Sequence, residues 1–550
     1  MALEFLSKSK GAWMTPEVVE RYLREGSWSN ETWCDVLEQA TRDAPDAVVR
    51  DDEEALELRT FHRRVLALAG ALRDRGIRPG ERVAVHLPSW NSLVAALFAV
   101  NYAGAVPLIV QTPFREREVR YAAELSEAVA YIGPGRYRAY DHQAMAQKLK
   151  AELPGLRLTI GVGPDAEEAD LQLADLIREG EGRYDVADFA DTRPHPGDPV
   201  MVMFTSGTTG RPKGVTLLHG NTLFCARAYS ERVPMTTSGN VLIVAPISHL
   251  TGLGVGVMLS LYQRSGWTVV DLFTVERVLE LARTTAPQYL VGAPPHILHL
   301  LRRPELDDVD WSSLKAAVYA GAPIPEVKLR EWVDRTGSWA MVFYGWTEGF
   351  AATMSSLDDP LDVVATTVGR PIPGVEFKLL DDDGREVPDG EAGEVWARGP
   401  NFAAGYFMRP EATASAFTDD GWFRGNDVLV RQFDGNYRYL ARADDIINRG
   451  GEKIDPRQVE EVLVTHPKVQ EVVVVGMPDP KLGERVCACV TPDAEGGAPT
   501  LDELREHLRS HDMARFMWPE KLVLLEELPT TYSGKVQRYV LRERFVQTAA

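Results

Sequence analysis

The stretch TSGTTGRPKG, residues 205–214, has the composition of a loop that binds an anion. Its three glycines permit a tight turn whose backbone N–H groups can converge on a phosphate. Ser206, Thr208 and Thr209 add hydroxyl donors, and Lys213 adds a positive charge. This is not a Walker A loop, because Lys213 is followed by glycine rather than by serine or threonine. The pattern predicts phosphate binding, with a flexible polar turn as the alternative for a cluster of this kind.

Two further residues stand at positions suited to chemistry. Glu348 follows a predicted buried strand, residues 340–344, after a short turn. Carboxylates at the carboxyl ends of sheet strands point into the cleft where α/β proteins bind ligands. Lys535 lies in a glycine-containing loop 15 residues from the end of the sequence. A solvated surface glutamate and an ordinary tail lysine are the alternatives.

The elements that must position these residues alternate between helix and strand from about residue 58 onward. Apolar spacing predicts helices over 59–77 and 92–103 and strands over 82–87 and 106–110. A polar stretch, 179–198, is predicted to be a surface connection. The alternation predicts an α/β fold with a mostly parallel sheet. Further buried strands are predicted over 199–204, 241–245, 288–292, 314–319 and 340–344.

The pattern changes after about residue 368. Short strands over 375–380, 393–398 and 428–431, with Asp-Gly pairs at 383–384, 389–390 and 434–435, predict a small β-rich region of hairpins. Beyond residue 441 the pattern is α+β. It predicts helices over 456–465 and 501–510 and strands over 469–475 and 486–491. We therefore predict an N-terminal domain over 1–442, with its β-rich subdomain at about 367–442, and a C-terminal domain over 443–550.

Composition excludes several classes of protein. The 550 residues are 45% hydrophobic and 25% charged, which is ordinary for a globular chain, and the formal charge of −20 disfavours a nucleic-acid binder. The four cysteines are too few and scattered for a disulfide scaffold, and Cys487-x-Cys489 lacks zinc spacing. No signal peptide and no membrane span is predicted, so we expect a cytoplasmic protein.

Six segments, in order, carry a resemblance to a known family. They are TSGTTGRPKG at 205–214, APISH at 245–249, YGWTE at 344–348, GWFRGND at 421–427, RADD at 442–445 running into NRGGEKI at 448–454, and SGK at 533–535. The chain thereby resembles the adenylate-forming superfamily over roughly residues 31–544. That superfamily includes acyl-CoA synthetases, aryl-acid-activating enzymes, peptide-synthetase adenylation domains and luciferases. The resemblance is strongest to cyclohexanecarboxylate-CoA ligases and stand-alone aryl-acid-AMP ligases. It implies a large N-terminal α/β domain with a small β-barrel-like subdomain, followed by a mobile α+β domain.

The resemblance implies a set of ATP-binding residues. Tyr344 would lie against adenine, residues 321–323 would form the opposite wall, Thr347 would donate to the α-phosphate and Glu348 would bind Mg²⁺, which prefers oxygen ligands. The full set is Thr205, Ser206, Gly207, Thr208, Thr209, Lys213, Gly321, Ala322, Pro323, Tyr344, Gly345, Trp346, Thr347, Asp427 and Arg442.

Four of the implied roles belong to residues after position 420. Asp427 would accept hydrogen bonds from both ribose hydroxyls, although residues 425–426 read Gly-Asn where the family usually has Thr-Gly. Lys535 would be the mobile catalytic lysine that bridges the carboxylate and the α-phosphate. The C-terminal domain would rotate about a hinge at Asp444, after which Gly450, Gly451 and Glu452 would line the tunnel for a thiol.

The acid would be bound next to His249, which by resemblance borders both the substrate carboxylate and the thiol tunnel. Relatives that activate 2,3-dihydroxybenzoate or salicylate have asparagine where this chain has Leu250, so a 2-hydroxyl group would find no partner. The glycines of residues 251–256, together with Gly321 and Gly349, suggest an apolar pocket with room for a simple ring or a short chain.

The sequence therefore predicts an ATP-dependent carboxylic acid–CoA ligase that uses Mg²⁺ and releases pyrophosphate and then AMP. We expect a medium-chain, alicyclic or aromatic acid as substrate, and a monomer or homodimer. Catalysis would rest on Lys535, Thr347 and His249. The alternative is an aryl-acid-AMP ligase that loads the phosphopantetheine arm of a carrier protein. A third hypothesis, a catalytically silent adenylate-binding module, is disfavoured by the presence of Glu348, Asp427 and Lys535.

Overall fold

The computed structural model describes residues 13–205, 212–237, 239–450, 452–493, 496–530 and 536–542. The chain divides into two compact units. Unit 1 comprises Met1–Glu376 and Ala397–Phe423, and unit 2 comprises Phe377–Trp396 and Arg424–Ala550. Much of the predicted β-rich subdomain thus belongs to the same unit as the C-terminal region. The predicted domain boundary after residue 442 stays a prediction.

The strands are numbered in chain order. The first ten are β1 Val48–Arg50, β2 Ala55–Glu57, β3 Arg82–Val85, β4 Val106–Ile109, β5 Ala130–Pro134, β6 Arg136–Tyr137, β7 Tyr140–Asp141, β8 Leu158–Val162, β9 Leu171–Gln172 and β10 Pro199–Thr205. The next ten are β11 Lys213–Leu218, β12 Asn240–Ile243, β13 Gly266–Val269, β14 Tyr289–Gly292, β15 Ala316–Tyr319, β16 Trp339–Trp346, β17 Phe350–Met354, β18 Arg370–Pro371, β19 Glu376–Leu380 and β20 Ala392–Arg398. The last eight are β21 Gly405–Tyr406, β22 Phe423–Arg431, β23 Tyr437–Arg442, β24 Ile447–Arg449, β25 Glu452–Ile454, β26 Val469–Asp479, β27 Gly483–Pro492 and β28 Lys521–Leu524.

The α-helices of the described residues are numbered in the same way. Nine precede residue 253: α1 Pro16–Arg24, α2 Trp33–Asp43, α3 Leu58–Asp74, α4 Asn91–Tyr102, α5 Glu116–Ser126, α6 His142–Glu152, α7 Leu173–Gly180, α8 His219–Arg232 and α9 Leu250–Gly252. Nine follow: α10 Leu259–Tyr262, α11 Val275–Thr285, α12 Pro294–Leu301, α13 Glu326–Thr336, α14 Leu361–Thr366, α15 Pro410–Ala416, α16 Pro456–Leu463, α17 Leu501–Ser510 and α18 Arg538–Leu541. A π-helix covers Leu253–Met258, and 3₁₀ turns cover Val186–Thr192, Pro304–Asp308, Ala443–Asp445 and Arg515–Met517.

Unit 1 contains an eight-stranded sheet in the order β21-β11-β10-β4-β3-β5-β8-β9. Its central strands are parallel, and β11 returns antiparallel to β10. Residues 199–204 of β10 are all buried, as expected for a parallel strand with both faces covered. Helix α4 has buried residues on every side, because it is apolar all round. The predicted strands over 82–87, 106–110 and 199–204 are confirmed, with ends that differ by up to two residues.

A nine-stranded sheet completes unit 1, in the order β18-β17-β16-β15-β14-β12-β13-β1-β2. Strands β12, β14, β15 and β16 are parallel neighbours within it. Helices α11, α12 and α13 cover one face with a core that includes Val278, Leu300, Leu329 and Trp332, each at most 1% exposed. The four strands predicted between residues 241 and 344 are confirmed, and so is the α/β fold class.

Unit 2 contains a four-stranded sheet, β19-β20-β22-β23, and a five-stranded sheet in which β25-β24-β27-β26 is joined by β28 beside β27. Helices α16 and α17 pack on the five-stranded sheet through Val459, Leu463, Leu504 and Leu508. Helix α17 covers 501–510 as predicted. A capping box explains where it starts: Thr500 accepts from the Glu503 N–H, and the Glu503 carboxylate accepts from the Thr500 N–H.

Within the described residues, no helix combines the length and the apolar character needed to cross a membrane. All four cysteines are free and buried.

Candidate active site

The predicted site residues of unit 1 follow neighbouring parallel strands. His249 comes after β12, Gly321 after β15 and Glu348 after β16, and the sheet order places β14 between β12 and β15. Because parallel strands end at the same edge, the topology brings these segments together along one edge of the nine-stranded sheet. The position of Glu348 after a buried strand is as the sequence predicted.

Glu348 is held at the tip of a tight hairpin. Trp346 of β16 pairs with Phe350 of β17, which leaves residues 347–349 as a three-residue loop. Phe350 closes the loop with φ of +56°, a left-handed conformation that is unfavourable for a bulky side chain. A Cβ at Gly349 would lie 2.4 Å from the Phe402 ring, and the Gly349 carbonyl accepts a hydrogen bond of 2.5 Å from Asn401 Nδ2. Dense packing therefore fixes the loop.

The carboxylate of Glu348 has a partner that the sequence did not predict. The Tyr406 hydroxyl donates to Glu348 Oε1 at 2.6 Å, and the Ala403 N–H donates to the Glu348 carbonyl at 2.6 Å. Tyr406 is 6% exposed and Glu348 is half-buried. The carboxylate therefore has a fixed orientation at the sheet edge.

The segment predicted to bind phosphate, residues 205–214, connects β10 to β11. Thr205 and Lys213 pair across its two ends, and Thr205 Oγ1 donates to the Lys213 carbonyl at 3.5 Å. The Lys213 ammonium lies 4.9 Å from the centroid of the Tyr406 ring. Of the predicted loop residues, Ser206, Gly207, Thr208 and Thr209 lie outside the described residues.

Two aromatic residues lie in the segment predicted to contact adenine. Tyr344 and Trp346 are both half-buried, and their rings meet edge to face with centroids 4.9 Å apart. Gly345 lies between them, where a Cβ would meet the Phe350 carbonyl at 1.8 Å. Residues 321–323, the predicted opposite wall, are exposed, and Gly321 has φ of +100°. Thr347 is half-buried in the hairpin loop.

The segment predicted to bind the acid begins at His249, which is half-buried and precedes α9. Leu250 is 7% exposed. The prediction that the following glycines leave room is wrong. A Cβ at Gly254 would lie 1.8 Å from Cζ of Phe350, and one at Gly256 would lie 2.5 Å from Ile243. These glycines, like Gly349, allow neighbouring atoms to pack closely, so they do not mark open space.

Asp427 and Arg442 are paired in unit 2. They face each other across β22 and β23, with Arg442 Nε 3.4 Å from Asp427 Oδ1. The Tyr439 hydroxyl lies 3.5 Å from the same oxygen, and Asp427 is 2% exposed. The unusual Asn426 takes a left-handed φ of +55°, which asparagine tolerates, and its Nδ2 donates to Asp444 Oδ2 at 2.8 Å. Asn426 therefore has a left-handed backbone within β22 and a side-chain bond to the predicted hinge residue.

Two arginines tie the hinge segment to the end of the described chain. Arg542 donates to the Asp444 carbonyl at 2.6 Å and lies 3.6 Å from the Asp445 carboxylate. Arg538 donates to both carboxylate oxygens of Glu460, at 2.7 and 3.0 Å. Burial lowers the pKa of the Arg538 guanidinium, but the carboxylates of Glu460 and Asp445 outweigh it and raise the pKa overall.

The remaining predicted residues of unit 2 are only partly described. Gly450 has φ of +63° and donates to the Leu482 carbonyl at 2.7 Å, and Glu452 is exposed at the start of β25. Gly451 and Lys535 lie outside the described residues.

The model of the AMP-binding enzyme family matches residues 37–407, and the model of the AMP-binding enzyme C-terminal domain matches residues 458–535. The chain belongs to the AMP-binding enzyme family.

Curated relatives match this protein over nearly the whole chain. A medium-chain fatty-acid–CoA ligase of Escherichia coli is 32% identical over 95% of this chain and 92% of its own length. A 2,3-dihydroxybenzoate-AMP ligase of Bacillus subtilis is 30% identical over 96% of both chains. A benzoate CoA ligase from Burkholderia xenovorans has a similar structure, with a TM-score of 0.80 and 25% identity over 93% of this chain and 100% of its own. This AMP-binding enzyme is therefore an AMP-forming acid–thiol ligase, which activates a carboxylic acid with ATP.

The residues also fit a magnesium ion that arrives with ATP. In the part of the chain that the structure describes, no group of three or more His, Cys, Asp or Glu side chains is arranged to hold a metal. Mg²⁺ in nucleotide enzymes needs only one or two carboxylates, because phosphates and water supply the other oxygens. A single oriented carboxylate, Glu348, suits that requirement.

Tyr406 is the functional candidate that sequence analysis missed. It lies 58 residues from Glu348, in no segment that the resemblance rested on. The dipeptide Gly405-Tyr406 carries no chemical signal of its own, and only the pairing of β21 with β11 brings it to the site.

Proposed function

We propose that this AMP-binding enzyme joins a hydrophobic carboxylic acid of ring size to coenzyme A. The observation that carries the proposal is the convergence of Glu348, His249 and the 321–323 segment at one edge of the nine-stranded sheet. In the first step a carboxylate oxygen attacks the α-phosphorus of ATP and pyrophosphate leaves. In the second step a thiol attacks the acyl carbon and AMP leaves.

The residues of this chain contribute mainly by position and charge, because no enzyme nucleophile is required. Lys213 and the phosphate loop bind the phosphates, and Tyr344 contacts adenine. Glu348 would hold Mg²⁺, which neutralises phosphate charge when bound. Thr347 donates to the α-phosphate, and Lys535 supplies positive charge where negative charge develops.

Packing around Phe350 supports an acid of limited size. Its ring fills the space beside Gly254 and stacks on Tyr229, with centroids 5.8 Å apart. The ring would therefore leave only a short space for an acid that binds between the π-helix and the Glu348 hairpin. An aromatic or alicyclic acid fits such a space better than an extended chain.

The polar groups near this region support an acid without hydroxyl groups. The Tyr229 hydroxyl accepts from the Ala351 N–H at 2.8 Å and donates to the Ala351 carbonyl at 2.9 Å. It therefore has partners already. Leu250 offers no hydrogen bond, so a buried substrate hydroxyl would lose water at a cost of about 1–3 kcal/mol.

Coenzyme A is the proposed acceptor, and the cytoplasm the proposed location. The four free, buried cysteines suit a reducing compartment.

Acid-dependent exchange between ATP and labelled pyrophosphate tests the first step. The panel should contain benzoate, cyclohexanecarboxylate, salicylate, 2,3-dihydroxybenzoate, and hexanoate through dodecanoate. We expect exchange with the ring acids and little with dodecanoate or the hydroxylated acids. Thioester formation is then measured with coenzyme A and with a phosphopantetheinylated carrier protein. If the acyl group is transferred only to the carrier protein, the carrier protein replaces coenzyme A as the proposed acceptor. If no acid supports pyrophosphate exchange, the proposal is contradicted.

A further inference from the structure

Residues 400–407, which we name the strap, connect the two sheets of unit 1. The strap donates from Ala403 N to the Glu348 carbonyl at 2.6 Å and from Phe407 N to the Gly214 carbonyl at 2.7 Å. It also donates from Ala404 N to the Thr216 carbonyl at 3.0 Å. One short segment thus binds both the hairpin that carries Glu348 and the strand that follows the phosphate loop.

Tyr406 extends this connection to the charged side chains. Its hydroxyl donates to Glu348 Oε1 at 2.6 Å, and its ring lies 4.9 Å from the Lys213 ammonium. Its backbone is held by the pairing with Val215 and by a 2.9 Å bond from its N–H to Thr413 Oγ1. Tyr406 therefore contacts one carboxylate and one ammonium from a fixed position.

We propose that Tyr406 is a positioning residue for ATP activation. It orients Glu348 and restrains Lys213. A glutamate side chain on a hairpin tip can turn its carboxylate freely, because the terminal torsion is broad. A charge-assisted bond at 2.6 Å fixes one oxygen and leaves the direction of the other defined. The face of the ring attracts the Lys213 ammonium and thereby restrains it beside Tyr406.

The proposal rests on the predicted role of Glu348, and two variants separate the two ideas. Tyr406→Phe removes the hydroxyl but keeps the ring, its packing and its contact with Lys213. Glu348→Gln tests whether the carboxylate matters at all. Tyr184→Phe is the matched control, because the Tyr184 hydroxyl also donates to a carboxylate, Asp74, at 2.5 Å on an exposed part of unit 1.

Two measurements are made on each variant with the full chain. Calorimetric titration with ATP and Mg²⁺, without acid, gives the affinity for the nucleotide. Pyrophosphate exchange at varied Mg²⁺, ATP and benzoate gives the kinetic constants. Loss of a hydrogen bond to a charged group should weaken the affinity of Tyr406→Phe for Mg²⁺-bound ATP by about tenfold to a hundredfold. The Mg²⁺ requirement should rise in parallel, whereas the KM for benzoate and the melting temperature should stay close to wild type.

The double variant Tyr406→Phe/Glu348→Gln supplies the deciding comparison. If Tyr406 acts through Glu348, the double variant should be no weaker than Glu348→Gln alone. Additive losses, an unchanged nucleotide affinity in Tyr406→Phe, or a fall in melting temperature that accounts for the lost affinity would each overturn the proposal. A fully active Glu348→Gln would instead overturn the role of Glu348 itself.

Discussion

Replacing Gly254 with alanine should place a methyl group inside the space that the Phe350 ring occupies. The new Cβ would lie 1.8 Å from Cζ and 2.3 Å from Cε1 of that ring, whereas real Cβ contacts are essentially never shorter than 3.0 Å. The ring cannot move easily, because it stacks on the fully buried Tyr229 and its backbone closes a tight hairpin. Overpacking of this kind costs about 1–3 kcal/mol of the free energy of unfolding.

Phe350→Leu should relieve the clash. On its own it removes three buried carbons, at about 2 kcal/mol if each contributes roughly 0.8 kcal/mol. If the two positions were independent, the double variant Gly254→Ala/Phe350→Leu would lose about 3–5 kcal/mol, the sum of the two estimates. We expect it to lose at least about 1 kcal/mol less, because the methyl group then occupies space that the shorter side chain leaves.

Urea unfolding of the three variants and wild type gives the coupling energy. Gly256→Ala, combined with Phe350→Leu, is the matched control, because the Gly256 methyl would meet Ile243 rather than Phe350. Pyrophosphate exchange with hexanoate, octanoate and decanoate is measured in parallel, and Phe350→Leu should accept longer acids than wild type. Additivity within about 0.5 kcal/mol would refute the contact. Coupling without any change in acid preference would refute its role in the pocket.

Four further predictions concern single side chains. Lys535→Ala should slow adenylation by several orders of magnitude, because a positive charge that stabilises the transition state is lost. Thioester formation from supplied acyl-adenylate should survive, and equal losses in both half-reactions would contradict the prediction. Asp427→Ala should weaken ATP use by about tenfold to several thousandfold, because one or two charge-assisted hydrogen bonds are lost. An unchanged KM for ATP would rule out the predicted contact between Asp427 and the ribose. Leu250→Asn should narrow or reverse a preference for benzoate over salicylate of roughly 5- to 150-fold in kcat/KM; a wild type that favours salicylate would disprove the pocket assignment. Burial raises the pKa of Asp455 from 3.8 to about 6, so the folded state binds this proton more tightly than the unfolded state does. The free energy of unfolding therefore falls as the pH rises from about 4 to about 6. Asp455→Asn keeps an acceptor for the Arg457 N–H and removes the buried charge. In thermal melts it should therefore stabilise unit 2 more at pH 8 than at pH 4.5. Equal effects at both pH values would exclude this titration.

The sequence predicted the strands of the parallel sheets well, because strands covered on both faces are continuous apolar runs. Residues 199–204 and 316–319 are examples. The predicted start of α17 at Leu501 is also confirmed, and the structure shows there a capping box, which is a local pattern. Contacts between distant segments left no such pattern. The grouping of residues 377–396 with unit 2 depends on strand pairing that no local spacing records.

The candidate site shows the same division between local and distant information. Glu348 was found because a carboxylate followed a buried strand, whereas its partner Tyr406 is 58 residues away. Gly254 was misinterpreted for a physical reason: a glycine that leaves space and a glycine that permits a close contact are the same residue in a sequence. Only the position of the Phe350 ring distinguishes them.

The strap also has a consequence for the order in which the protein folds during synthesis. The indole N–H of Trp28 donates to the Pro400 carbonyl at 2.8 Å, and that of Trp13 donates to the Ala403 carbonyl at 3.0 Å, across 372 and 390 residues. At about 5–20 residues per second, a ribosome needs roughly 20–75 s to make the chain between Trp28 and its partner. During that time neither indole N–H has its carbonyl acceptor from the strap. The strap is therefore among the last parts of unit 1 to assemble. Nascent chains released before about residue 400 should expose two indoles to chaperones.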